Sequence, residues 1–246
     1  MKKILPVAIA AVIMVMLFAV AVVRPAHAPA VHVSAETDKL DAEAMQALEN
    51  ARAYLVNNDF SVKTTAAIKA KAFGIPHTQK VYGSRSVKSG VFTEQAESKS
   101  AFAKAAFKKK SVEGGYEVSR GEYKKNKFVY GKPKFMTTDE YIKAYGKPAI
   151  GLVRYEVDGT VLEAKKTGEG VYEYKLDAKA AAKYFRNEIK TLIGTKKHPT
   201  YSAVSFTMHC DGSRPVKVCT HEKFRADICG GTNCTATYVE TFTYDR

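Results

Sequence analysis

All four cysteines, Cys210, Cys219, Cys229 and Cys234, fall in the last 37 residues of the chain, with His209 and His221 beside the first two. Three chemistries compete for such a set. A structural zinc site usually carries close ligand pairs with two to four residues between them. Only Cys229 and Cys234 are that close, so no metal is expected. A nucleophilic thiol needs a low pKa and a neighbouring base, and in Thr207-Met208-His209-Cys210 a histidine adjoins the first cysteine, with Arg225 downstream. Against this, three further cysteines within 24 residues make a disulfide the natural fate of Cys210 in an oxidising compartment. Of the three possible pairings, the two short-loop bridges Cys210–Cys219 and Cys229–Cys234 are expected.

The other motifs of catalysis are missing from the sequence. It contains no Gly-x-Ser-x-Gly elbow, no phosphate-binding glycine loop and no His-Glu-x-x-His. His77 and His198 adjoin Pro76 and Pro199 at element ends, where a histidine is ordinarily structural. The chain therefore reads as a non-enzyme with no cofactor.

The start of the chain points to a compartment. Lys2 and Lys3 precede an unbroken apolar run of twenty residues, Ile4 to Val23, long enough to span a bilayer. Basic residues before it favour an N-terminus left in the cytoplasm. Two cleavage signals compete, Ala26-His27-Ala28 before Pro29 and Val33-Ser34-Ala35 before Glu36, so both a cleaved signal and an uncleaved anchor stand open. Residues 1–35 are thus a targeting segment and 36–246 one extracytoplasmic domain, either tethered by an N-terminal helix or secreted.

Setting aside Lys2, Lys3 and Arg24, 36 basic residues face 25 acidic ones. The excess concentrates between Lys99 and Lys134, where eleven basic residues meet only Glu113, Glu117 and Glu122. Such a stretch suits a solvated lysine-rich face, or one that meets an anionic membrane or cell-wall polymer; nothing in it specifies a nucleic acid.

Periodicity supplies the elements that must hold these residues. Leu40, Ala44, Leu48, Ala51 and Leu55 predict an amphipathic helix over 38–57. Phe60, Val62, Thr64, Ala66, Ile68, Ala70 and Ala72 alternate with polar partners in a thirteen-residue strand whose inner side chains are small, which leaves room on that face. Shorter strands follow around 80–87, 91–97, 101–107, 116–120, 121–125 and 128–130. Thr137 to Glu140 has capping-box spacing and opens a short helix. Asp158-Gly159 is a two-residue hairpin turn that pairs Tyr155 with Leu162. Tyr172, Tyr174 and Leu176 share one side of a strand that hands over at Asp177 to a helix reaching Gly194, with Ala181, Phe185, Ile189, Leu192 and Ile193 as its apolar face and Lys183, Arg186 and Lys190 towards water. Ser202, Val204, Phe206, Met208 and Cys210 share a face of the next strand, and Ala236, Tyr238, Phe242 and Tyr244 line the last. Successive hairpins exclude a doubly wound parallel sheet. The fold class is α+β: a single large curved antiparallel β-sheet, a half-barrel, with helices on its concave face.

This order of leading helix, long thin-sided strand, Tyr141 to Pro148 segment, Asp158-Gly159 hairpin and strand-to-helix unit over Tyr172 to Ile193 resembles, across residues 38–246, the half-barrel proteins typified by periplasmic lipoprotein carriers and mycobacterial glycolipid carriers. The resemblance implies about eleven strands wrapped over helices, an apolar cavity for acyl chains, and no catalytic residues. Phe60, Val62, Ile68, Tyr155, Tyr172, Tyr174, Phe185, Ile189 and Leu192 would line that cavity. The chain lacks the lipid-anchor cysteine of the glycolipid carriers, and its four C-terminal cysteines match neither type. A lipid or lipoprotein acyl-chain binder is the leading expectation; an envelope interaction or sensor module with a basic face is the second, and a sortase-type transpeptidase the third.

Overall fold

The computed structural model describes residues 39–72, 74–100, 104–145, 159–183, 186–227 and 231–245. Tyr155, Phe185, Cys229 and the first strand of the Asp158-Gly159 hairpin lie outside them, as does the apolar run near the N-terminus. Among the described residues no helix is long and apolar enough to cross a membrane.

The chain opens with α1 (Ala42–Asn57), capped by Asp41, whose carboxylate accepts the amides of Glu43 and Ala44 at 2.8 and 3.1 Å. Six strands then run outward from the middle of the sheet: β1 (Phe60–Ala72), β2 (Ile75–Lys88), β3 (Val91–Lys99), β4 (Lys104–Val112), β5 (Gly115–Lys124) and β6 (Lys127–Tyr130). A short β7 (Lys134–Thr137) also pairs with β5, and α2 (Thr138–Tyr145) follows. The capping box at its start forms as expected: Thr137 N–H donates to Glu140 Oε2 at 2.9 Å, and Glu140 N–H to Thr137 Oγ1 at 3.2 Å.

The second half of the chain starts at the opposite edge and works back. β8 (Val161–Gly168), β9 (Val171–Leu176), β10 (Thr200–Asp211), β11 (Arg214–Ala226) and β12 (Thr232–Thr243) bring the last strand beside the first. The order is β6-β5-β4-β3-β2-β1-β12-β11-β10-β9-β8, and each neighbouring pair in it is antiparallel. The sheet has twelve strands and is not closed, a half-barrel.

Between β9 and β10 one helix was expected and two are present, α3 (Ala178–Ala182) and α4 (Arg186–Ile193). The break begins at Lys183, whose amide turns back to Ala180 in a tight i to i−3 bond of 3.3 Å. Gly194 ends α4 at φ +72°, with the Gly194 and Thr195 amides both bonding to Lys190 O. In β10 a register shift between Tyr201 and Ala203 reverses the expected parity: Tyr201 turns inward and Ser202 outward.

The helices lie on the inner face. Leu48, Leu55, Ile189 and Leu192 pack into one contiguous core with Phe60, Val62, Ile68, Tyr172, Tyr174, Phe206 and Tyr238. Two polar links fix them there. Tyr174 OH donates to Ala44 O at 2.7 Å, joining β9 to α1. Gln79 Nε2 donates to Leu192 O at 2.6 Å, so a last-turn carbonyl of α4 is satisfied from β2. Removing the first link by Tyr174→Phe is expected to lower unfolding free energy by about 1 kcal/mol in urea titration; an unchanged midpoint would show that the bond holds nothing.

Candidate functional site

The room left by the small side chains of β1 is filled. Ala66 pairs in register with Tyr238 on one side and Val81 on the other, and Tyr238 is 1% exposed. Of the nine residues expected to line a cavity, Phe60, Val62, Ile68, Tyr172, Tyr174, Ile189 and Leu192 are all buried members of the core. They form the packing between sheet and helices instead of the wall of an opening. Tyr155 and Phe185 lie outside the described residues.

The inner face opens elsewhere, at the β5 edge. Here β6 pairs with Gly121–Lys124 and β7 with Gly115–Val118, so two strand pieces share one edge and the chain crosses between them at Gly131, whose amide donates to Arg120 O at 3.0 Å. Gly115 permits the close approach of β7, because a Cβ there would stand 2.1 Å from Met136 O. Between this split edge and the end of α2 runs a groove of about 740 Å³. Val118, Val129, Met136, Ala144 and Tyr145 give it an apolar floor, and Arg120, Lys124, Lys132 and Lys134 a basic rim. Glu122 is the acidic lining residue, and Lys124 already holds it at 2.5 Å, which keeps its carboxyl below the usual range. Among the described residues no carboxylate lies within ion-pair distance of Arg120, Lys132 or Lys134. The groove can take an apolar chain of modest length with an anion at its mouth. Its rim comes from the basic stretch already conspicuous in the sequence.

Beside it the inner face carries charges that the alternation pattern was not expected to bury. Lys109, from the stretch read as solvated, is 3% exposed. Its ammonium meets Glu94 at 3.0 Å and stands 4.4 Å from the Tyr145 ring and 4.7 Å from that of Phe107. Glu94 is the register partner of both Lys109 on β4 and Arg85 on β2. Arg85 reaches past β1 to Glu240 on β12 at 3.6 Å. The signal lay in the sequence: Glu240 sits between Tyr238 and Phe242, and Lys109 two residues from Phe107, at inward positions. Breaking one buried pair leaves a stranded charge. Glu94→Gln is expected to cost about 3 kcal/mol in chemical denaturation, and Glu94→Leu with Lys109→Met to recover most of it. Equal losses in both variants would show that the pair contributes packing alone.

The described cysteines speak against the nucleophile and against one of the two expected bridges. Among the described residues no disulfide joins Cys210, Cys219 and Cys234 to one another. The expected Cys210–Cys219 bridge is excluded by register: Cys219 opposes Thr207, while Cys210 opposes Pro215. Cys219 also lies between the inward-facing Val218 and Thr220, on the outer face, whereas Cys210 packs against the core. Cys229, the intended partner of Cys234, is outside the described residues. A nucleophile fares no better at Cys210, because burial pushes its thiol up to about 11, away from the thiolate that transpeptidation needs. Burial raises Cys234 in the same direction. Among the described residues no cluster of three His, Cys, Asp or Glu side chains can hold a metal. Non-reduced, denatured protein is expected to show at least those three reactive thiols, and native Cys210 to alkylate faster as pH climbs towards 11. A thiol count of zero would reinstate the disulfides.

No protein-family model matches the chain, and no curated protein is similar to it in sequence. Among solved structures it is similar to a DUF1329 family protein from Desulfovibrio piger, at 10% identity and a TM-score of 0.30 over 82% of this chain and 93% of that one. A LolA superfamily protein from Nitrosomonas europaea matches at 10% identity and 0.27, over 82% and 94%. The MucA/MucB complex of Pseudomonas aeruginosa contains a chain that matches at 9% identity and 0.18, over 83% and 100%. At these scores the half-barrel assignment rests on the strand order and register of this chain itself.

Proposed function

We propose that the protein is a non-catalytic, extracytoplasmic binding protein that holds an acyl-bearing amphiphile, a lipid or lipoprotein acyl chain with an anionic head, in the groove between the β5 edge and α2. One observation carries this reading: an apolar floor of Val118, Val129 and Met136 meets a basic rim of Arg120, Lys132 and Lys134 in about 740 Å³ of space. That volume falls within the range of small-molecule sites. Each buried methylene of an acyl chain contributes about 0.8 kcal/mol, and a carboxylate or phosphate at the rim adds a charge-assisted contact. The leading apolar run with its lysine pair supports export.

Titration with a fluorescent fatty acid, dansyl-undecanoic acid, tests the groove directly. Binding with enhanced emission is expected, and Lys132→Glu with Lys134→Glu should weaken it about tenfold, since each reversed charge faces the anionic head. Met136→Glu, which places a carboxylate on the floor, should abolish it. Undiminished binding in both variants would move the ligand out of this groove, and no binding at all would end the acyl-chain reading.

A further inference from the structure

The outer face of the sheet carries a second, chemically different surface. Across the five middle strands the outward positions follow from the burial alternation: Lys80 and Ser84 on β2, Lys63, Thr65, Lys69 and Lys71 on β1, Thr235, Thr237 and Thr241 on β12, Lys217, His221, Lys223 and Arg225 on β11, and Ser205 and Thr207 on β10. The only Asp or Glu at an outward position within these strands is Asp211, the last residue of β10, which pairs with Arg214. The other acidic residues, Glu222 on β11 and Glu240 on β12, both face inward and are buried. A lysine-rich surface is normally interleaved with carboxylates; this one has hydroxyls in their place.

Its basic residues converge at one end. Lys69 and Lys223 flank Thr235 as its register partners on either side, and one step further Arg225 pairs with Asn233. Two such cross-strand rows, with Lys71 closing the second, border an outer-face trough of about 660 Å³. Adjacent strands lie about 4.8 Å apart, so Lys69 and Lys223 stand roughly 10 Å from one another across the trough. Gly231 lets the Arg225 guanidinium lie against the backbone, since a Cβ there would come within 2.6 Å of its nitrogen. Among the described residues none of Lys69, Lys71, Lys223 and Arg225 has a carboxylate within ion-pair distance.

We infer that this trough is a docking site for a linear, base-free polyanion, a chain of phosphate groups without aromatic bases. The charge selects an anion, and the hydroxyl and amide side chains of Thr235 and Asn233 supply donors to its oxygens. The shape selects an extended chain: a trough between two side-chain rows follows a strand of polymer, whereas a flat bilayer would meet the convex surface along one line. The aromatic residues of the trough lining, Tyr201 and Phe224, are 5% and 2% exposed and pack in the core, so the trough offers neither the open rings on which single-stranded nucleic acid stacks nor the amphipathic anchors that a membrane interface takes. The site does not depend on the acyl-binding groove, which opens on the other face of the sheet.

Binding of the full chain to inorganic polyphosphate, measured from 50 to 300 mM salt, tests the inference. Affinity is expected to fall steeply with salt. The variant Lys69→Gln, Lys223→Gln, Arg225→Gln should bind at least about tenfold more weakly and lose about three from the salt slope, roughly one for each cation removed. A control with the same change in net charge, Lys108→Gln, Lys110→Gln, Lys125→Gln, should retain binding within about threefold. Unaltered melting of both variants would show that neither is unfolded. Equal losses in the two variants would reduce the effect to net charge and overturn the site, as would no polyphosphate binding at 50 mM salt. Tighter binding to oligothymidylate or to vesicles of anionic phospholipid would overturn the base-free polymer as the occupant.

Discussion

The ladder between β1 and β12 is the constraint on which the remainder of the molecule depends. Ten consecutive register pairs, Ser61 with Thr243 through Ala70 with Cys234, join the first strand to the last. Hairpins lead from β1 outward through β6 on one side and from β10 back to β12 on the other. Without this ladder the sheet divides into two open pieces, each with a long edge and half an apolar face. Its closure joins residues far apart in sequence, which is costly in chain entropy and is repaid only once both halves have formed. The thirteen residues of β1 give a template of matching length for both neighbours.

Strand alternation then decides where charge goes. In β11 and β12 the acidic residues share parity with Phe224, Tyr238 and Phe242, so placing the aromatics inside places Glu222 and Glu240 inside as well. A buried carboxylate costs several kcal/mol unless a cation meets it, and Arg85 from β2 meets Glu240. Glu94 and Lys109 extend the arrangement towards α2. The same parity strips the outer face of β11 and β12 of carboxylates. Inner ion pairing and the outer basic surface are thus two consequences of one register, and a one-residue slip in β12 would exchange them.

Much of this was legible in the sequence. The uniform alternation of Phe60 to Ala72 gave β1 at its full length, Thr137 and Glu140 marked α2, and Tyr172, Tyr174 and Leu176 face the core as their spacing requires. What escaped had local causes. A single register shift at Tyr201 inverted the facing of Ser202, which a strict period of two does not anticipate. The first helix begins at Asp41 in place of Asp38, since both residues have the side chain of a cap. Lys109 looked solvated because it stands in a run of three lysines, and only the neighbouring Phe107 betrays the inward parity. The site moved for a physical reason: small side chains on β1 signal space only if nothing larger lies opposite, and Tyr238 lies opposite Ala66. The open groove arises from the split pairing at β5, where β6 and β7 share one edge. That is a property of pairing between distant segments, and no single strand encodes it.

The two candidate surfaces obey different physics, which keeps them separable within one small domain. An acyl chain on Val118, Val129 and Met136 is held by removal of apolar area from water, an interaction that ordinary salt scarcely weakens. A polyanion along Lys69, Lys223 and Arg225 is held by exposed charges, which a Debye length of about 10 Å at 0.1 M salt screens strongly. The groove lies at one edge of the sheet and the trough over its middle strands, on opposite faces, with no side chain in common. Substitutions in the two are therefore expected to act additively. On the two proposals together, an anionic chain on the outer trough and an acyl chain in the inner groove would not compete for any side chain.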